Sequence, residues 1–191
     1  LLGAFFIFVI TFPLFIVSAF MIYLEDGTPV FYSQLRSGLN GELIRIWKLR
    51  TMKHNSERNG PQWSSRHDSR VTHVGKVLRK FRIDELPQLL GVIKGDLSMI
   101  GPRPERPEFE TLLEQQIPHY RVRHWIRPGL SGWAQVNHPY AASIDDSRMK
   151  LSYDLYYIRN SGLFLDILIV IKTARMLLRA KGSSPPSRNV L

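Results

Sequence analysis

Residues 1–24, LLGAFFIFVITFPLFIVSAFMIYL, contain no charged side chain, and the run meets the roughly 20-residue length needed to cross a bilayer core. It is apolar on every face, and no comparable second layer exists in the chain to cover it, which disfavours a buried core helix. A secretory signal is rejected. The run lacks a basic start and a small-residue cleavage site, and it ends in Tyr23-Leu24 followed by Glu25-Asp26. Pro13, at the midpoint, removes a backbone donor and obstructs a preceding carbonyl, so a bend is expected. Two half-helices of about 11 residues, each roughly 16 Å long, would result. Such a segment can enter and leave by one face or span as a kinked helix, and the residues alone allow both. If it spans, the Lys and Arg richness after residue 35 puts the remainder on the cytoplasmic side.

The chain has 191 residues with 26 Lys and Arg against 16 Asp and Glu. The resulting formal charge of +10 favours a polyanionic partner: nucleic acid, an acidic membrane face or phosphorylated substrates. No cysteine is present, which excludes disulfides, thiolate metal sites and a cysteine nucleophile. There is no internal repeat.

Beyond the apolar run, VFYSQ reads as a short strand, and Gly38 with Asn40-Gly41 as a hairpin-type turn. ELIRIWKLRTM reads as a second strand with one wet, basic face carrying Arg45, Lys48 and Arg50. Residues 53–70 are polar and turn-rich, hence a loop. Val71–Phe81 carries Val74, Val77, Leu78 and Phe81 at helical spacing and predicts an amphipathic helix. Pro87 opens the next helix, with Leu89, Leu90, Val92 and Ile93 as its buried side and Gly95-Asp96 as its end. Further helices are predicted over Glu108–Gln116, Met149–Tyr157 and Leu163–Arg179. GPRPERPE at 101–108 and RPGLSGW at 127–133 read as rigid turns, and residues 182–191 as a flexible tail.

Where the Val71–Phe81 helix gives way to the one opened by Pro87 lies RKFRIDELPQ, residues 79–88. Asp84 and Glu85 stand side by side just before Pro87, in a cap region where unpaired N–H groups and the helix dipole favour negative charge. An acidic helix cap is the plain reading, but one carboxylate would suffice for that. Two adjacent carboxylates beside Arg79, Arg82 and the rigidly held Arg103 suggest a site that handles phosphate and a divalent cation together. A carboxylate can also act as a nucleophile in phosphoryl chemistry when cations neutralise the reacting groups.

The stretches GTPVFYSQLRSGLNGELIRIWKLRTM, LRKFRIDELPQLLGVIKGDLSMIGPRPE and RPGLSGWAQVN together resemble the bacterial sugar transferases, the monotopic phosphoglycosyl transferases, over nearly the whole chain. NHPYAAS and LSYDLYYIRN look most like members associated with exopolysaccharide assembly. The resemblance implies transfer of a sugar 1-phosphate from a nucleoside diphosphate sugar to polyprenol phosphate, with Mg2+ as cofactor and through a covalent aspartyl-phosphosugar intermediate. By motif position Asp84 matches the nucleophile and Glu85 the partner carboxylate that ligates the metal. Lys48, Arg79 and Arg103 match cations around the phosphates, and Arg127 and Gln135 fall in a motif assigned to substrate binding. Asp166 matches another acidic position, with a buried helix charge paired to an Arg as its structural alternative.

The resemblance also favours a re-entrant helix-break-helix over residues 1–26. The family's usual Ser-Pro is here Phe12-Pro13, so the hydroxyl that meets a freed carbonyl would have to come from elsewhere, such as Thr11. It implies a catalytic domain over residues 27–181 on the cytoplasmic face of the inner membrane, cut from a longer protein. NHPY departs from the Asn-Gly-Arg run of many relatives, which leaves the donor sugar open.

The expected fold is α/β, helix-dominated with short strands, carrying interfacial amphipathic helices beside the proline-broken membrane segment. The expected partners are the nucleotide sugar, polyprenol phosphate and membrane lipid, with no nucleic acid; a homo-oligomer is compatible with the sequence. Two other classes stand beside this reading. One is a membrane-tethered basic module binding nucleic acid or acidic lipid, which leaves the Asp84-Glu85 pair unexplained. The other is a metal-dependent phosphatase or nuclease.

Overall fold

A computed structural model describes residues 2–54, 56, 68–138 and 143–178; most of the polar loop, NHPY beyond His138, and the tail lie outside these. The apolar N-terminal run forms one helix, α1 (Leu2–Asp26), with Pro13 inside it. The expected pair of half-helices is therefore a single element. Thr11 Oγ1 does donate to a carbonyl, but to that of Ile7 at 2.7 Å. The carbonyl four residues before Pro13, whose partner the proline removes, belongs to Val9.

A narrow stripe of α1 faces protein: Ala4, Phe8, Phe15, Ala19 and Ile22. Its other faces are bare. Only 11% of its most apolar 18-residue window is buried, which rules out the buried core helix. Ala4 joins Ile46, Leu89 and Val92, whereas Ile22 joins Leu49 and Leu78. Those anchors are 18 residues apart, about 27 Å along a helix, so α1 is held to the domain on both sides of Pro13.

Past a turn at Gly27, β1 (Phe31–Ser37) pairs antiparallel with β2 (Leu43–Leu49). The expected turn joins them, with Asn40 (φ 55°) and Gly41 (φ 82°) in the left-handed region that reverses the chain. The expected wet, basic face is absent. Alternation puts Lys48 on the same side as buried Ile46, and Arg45 on the opposite side with Leu43 and Trp47.

The next helix, α2 (His73–Lys80), begins at Thr72, whose hydroxyl accepts from the Gly75 N–H at 2.9 Å. Glu25, from the end of α1, adds a second cap by accepting from the His73 and Val74 N–H groups at 2.7 and 2.8 Å. Leu78 is buried and Val74 packs beside it, but Val77 and Phe81 are exposed, so the expected stripe is narrower than its spacing suggested. In α3 (Gln88–Lys94), Leu89 and Val92 are buried while Leu90 is exposed. Gly95 (φ 93°) ends it as predicted.

RPGLSGW is not only a turn. Within it β4 (Gly129–Ser131) pairs in parallel with β3 (Ser98–Ile100). At this crossing a Cβ on Gly129 would stand 2.1 Å from the Gly101 nitrogen, so only glycine lets the backbones meet. Around these small sheets lie α4 (Pro107–Gln116), a 3-10 segment at Tyr120–Trp125, the short α5 (Trp133–Asn137), and α6 (Ile144–Asn160), longer than predicted. The last helix, α7 (Leu163–Leu178), buries Leu165 and Ile169 and leaves Leu163, Phe164, Ile167 and Val170 exposed. The helix-dominated architecture with short strands is as expected.

Candidate active site

Four cations and two carboxylates meet where α2 gives way to α3. Arg82 adopts a left-handed conformation (φ 54°) and turns the chain into a 3-10 segment, Ile83–Glu85. Its hydrogen bonds run from the Glu85 N–H to the Arg82 carbonyl and from the Leu86 N–H to the Ile83 carbonyl. Asp84 and Glu85 are both buried there, and among the described residues neither carboxylate caps the 3-10 segment or α3. The helix-cap reading therefore does not describe this pair.

Glu85 is saturated with cations. Lys48 Nζ, from β2, donates to its Oε1 at 2.8 Å. Arg103, held between Pro102 and Pro104, forks over both oxygens, with a short contact from Nη2 to Oε1 and Nη1 3.4 Å from Oε2. Arg82 Nη1 reaches Oε2 at 3.3 Å. Burial by itself would raise the Glu85 pKa, but Arg103, Lys48 and Arg82 outweigh it and hold the carboxyl well below its ordinary value. The same burial lowers Lys48, against the pull of Glu85.

Asp84 is the opposite case. No side-chain hydrogen bond or ion pair engages its carboxylate among the described residues. Burial and the adjacent Glu85 charge push its pKa up, against Lys48, Arg79 and Arg103. Arg79 approaches from α2, its Nε donating to Thr51 Oγ1 at 2.8 Å. Sequence reasoning thus named five residues that the fold does gather: Lys48, Arg79, Asp84, Glu85 and Arg103.

Three other named residues make no hydrogen bond or ion pair with this group among the described residues. Arg127 is exposed, and no described side chain pairs with it. Gln135 is buried in α5, where its Nε2 donates to the Leu130 carbonyl at 3.2 Å and its Oε1 has no partner, a local arrangement within the β4–α5 turn. Asp166 lies in the first turn of α7 and accepts from the Tyr157 hydroxyl at 2.7 Å. No arginine pairs with it among the described residues, so the ion-pair alternative is not what the fold uses.

A second layer of charge escaped sequence reasoning. Arg123 donates from Nη2 to the Arg103 carbonyl at 2.7 Å and to Asp154 Oδ2 at 3.0 Å, and from Nη1 to the Tyr120 hydroxyl at 2.6 Å. Glu105 pairs with Arg36 and Lys150, each at 3.4 Å. Burial would raise Glu105, but Lys150, Arg123 and Arg36 pull it down to about 2. One signal was available: along α6 the buried positions Ser147, Leu151, Asp154 and Tyr157 recur every three to four residues. A carboxylate on such a stripe demands a cation from a facing element.

The geometry can do what a phosphoryl-transfer site requires, presenting an unpartnered carboxylate inside a ring of cations. Comparison with known proteins identifies the lineage. The model of the bacterial sugar transferase family matches residues 1–180. The chain belongs to that family.

Among the relatives is a UDP-N-acetylgalactosamine-undecaprenyl-phosphate N-acetylgalactosaminephosphotransferase of Aeromonas hydrophila, 52% identical over 90% of this chain and 40% of its own length. Two UDP-glucose:undecaprenyl-phosphate glucose-1-phosphate transferases also match. The one from Xanthomonas campestris pv. campestris is 37% identical over 88% of this chain and 36% of its own, and that from Caulobacter vibrioides is 39% identical over 87% and 63%. The chain therefore spans about 36–63% of the length of these bacterial sugar transferases. None of the three is a nucleic-acid-binding module or a phosphatase by name, which disfavours both rival classes.

Proposed function

We propose that this bacterial sugar transferase moves a sugar 1-phosphate from a nucleoside diphosphate sugar to polyprenol phosphate, as a membrane step of glycoconjugate or exopolysaccharide assembly. One observation carries the reading: Asp84 is buried and, among the described residues, without a side-chain partner, beside Glu85, which holds three cations. The Asp84 carboxylate attacks the sugar-bearing phosphorus, the bond from that phosphorus to the bridging oxygen breaks, and the nucleoside monophosphate leaves with the electron pair. An oxygen of the lipid phosphate next attacks the same phosphorus. The acyl-phosphate bond breaks, and Asp84 returns as a carboxylate. Lys48, Arg79 and Arg103 offset the charge of two dense anions brought together.

Mg2+ fits the donor chemistry, because Asp84 and Glu85 offer hard carboxylate oxygens of the kind that hold this ion together with substrate phosphates. Glu85 is the assigned ligand, and it would exchange one of its cation contacts to serve. The ion, when bound, supplies positive charge at the diphosphate.

The membrane reading follows from α1. Its outward faces are apolar throughout, and its two halves rest on the same body through Ala4 and Ile22. This supports a re-entrant helix seated in one leaflet, and the formal charge of +10 accords with a domain on the cytoplasmic face of the inner membrane. The bare apolar face of α7 is consistent with a helix lying in the interface.

The test is incubation with radiolabelled nucleotide sugars, UDP-N-acetylgalactosamine first, followed by denaturation. Label retained on the chain, and lost in Asp84→Asn, is the expected result. Label retained equally by that variant overturns the assignment.

A further inference from the structure

The hairpin β1–β2 has two unlike faces. Its inner face carries Ile46 into the core and Lys48 to Glu85. Its outer face is formed by Phe31, Leu35, Leu43 and Trp47, which are 42, 43, 59 and 47% exposed, with Ser33 and Arg45 between them. Arg45 donates to Ser33 Oγ at 3.1 Å, and no carboxylate pairs with it among the described residues. An exposed patch of large apolar side chains, with one cation and no anion, is unusual for a surface that meets only water.

This patch is continuous with the membrane helix. The Phe31 ring lies 5.8 Å from that of Phe15 in α1, and Phe15 lies 6.2 Å from Phe12. At the same end of the hairpin, Leu49 packs with Ile22 of α1. The exposed apolar surface of α1 thus runs onto the hairpin without a polar border at Phe31.

The geometry points to the hairpin's outer face as a second lipid-contacting surface, seated in the headgroup layer beside α1, with Trp47 and Arg45 as its interfacial anchors. The choice of a bilayer over a second protein copy rests on size and composition. Strands of seven residues span about 24 Å, and two of them are about 10 Å wide, giving roughly 240 Å². A stable protein interface needs about 800 Å² on each side. Tryptophan and an arginine with an aliphatic stem are the side chains that suit a boundary with oil on one side and charged headgroups on the other.

The consequence for the site rests on the transfer reading above. Trp47 and Lys48 are neighbours that point to opposite faces, so seating Trp47 in lipid puts Lys48, Glu85 and Asp84 about one sheet thickness, roughly 10 Å, from the bilayer surface. That is a height at which a phosphate on a lipid can enter the cation ring while its tail stays in the membrane.

The chain has no cysteine, so single labels are easily placed. Leu35→Cys, Leu43→Cys and Trp47→Cys variants of the full chain, each carrying a nitroxide, are reconstituted in anionic vesicles beside Phe20→Cys on the exposed face of α1. Oxygen and a water-soluble nickel chelate then compete to relax each label. Any variant whose thermal midpoint falls is set aside in favour of the others. The expected result is an oxygen-to-chelate accessibility ratio several-fold above that of a free aqueous label at every hairpin position that keeps its thermal midpoint. A ratio equal to the aqueous value overturns the proposal. So does low accessibility to both reagents, which would mark a protein partner. Neither outcome depends on turnover, so the proposal fails or stands separately from the transferase reading.

Discussion

Arg123 hydrogen-bonds the backbone carbonyl of Arg103 at 2.7 Å, so one buried cation fixes the main chain from which another reaches Glu85. Arg123 is in turn held by Asp154 and Tyr120. Removing one partner of a buried pair leaves an uncompensated charge and costs about 3–5 kcal/mol. Asp154→Ala is expected to lower denaturant stability by that order. On the proposed function its Kd for a nucleotide sugar should also rise, because Arg103 loses its anchor, and equilibrium unfolding and titration check the two effects.

Asp84 contributes in the opposite sense. Burial and Glu85 raise its folded pKa, so above that pKa the folded state holds a charge it disfavours, and stability falls as pH rises through it. Asp84→Asn should therefore raise the thermal midpoint at neutral pH while reducing turnover by at least about 1,000-fold, the scale of losing an essential catalytic group. An Asn variant no more stable than wild type would contradict this.

The same shift sets an acid limit on activity. In the proposed reaction the Asp84 carboxylate attacks only when ionised, and this reading predicts a kcat/KM that falls with decreasing pH along a limb lying above the ordinary carboxylate value of 3.8. Glu85, held well below its ordinary value, stays charged across that range. A pH–rate profile flat down to the ordinary carboxylate range would rule out Asp84 as the titrating group.

Glu105 gives a separate signature in stability. Its folded pKa of about 2 lies below the ordinary 4.5. Its contribution is fully present above 4.5 and is lost as pH falls toward 2. Acid titration of stability should therefore show a component in that window that Glu105→Gln removes.

Gly75 tests how closely α2 must sit. A Cβ there would stand 2.2 Å from the Thr51 carbonyl oxygen. Gly75→Ala should cost about 1–3 kcal/mol through overpacking. It should also weaken phosphate binding, since Thr51 holds Arg79 by its hydroxyl. Thermal melts and donor-binding titrations separate the two effects.

Much of this site was legible because its residues cluster in sequence. Asp84 and Glu85 are adjacent, Arg79 and Arg82 lie within six residues of them, and the prolines around Arg103 announce a rigid cation. Lys48 was readable only through resemblance, because alternation alone put it on a shared basic face that the strand does not have. Arg123, Asp154, Glu105 and Lys150 were missed for a plain reason: each pairs with residues tens of positions away, and nothing local marks such partners. The β3–β4 pairing was hidden likewise, since three-residue strands carry too little alternation to register.

Glu25 ties the end of α1 to the first amides of α2, and Ala4 and Ile22 complete two of the domain's hydrophobic clusters. A shortened version lacking the first 26 residues would bare Leu78, Leu89 and Val92 to water and leave the His73 and Val74 amides without their acceptor. Detaching the greasy segment to obtain a freely dissolved enzyme for assay or screening should accordingly yield precipitate, and purification has to proceed in detergent or a lipid disc with that segment in place.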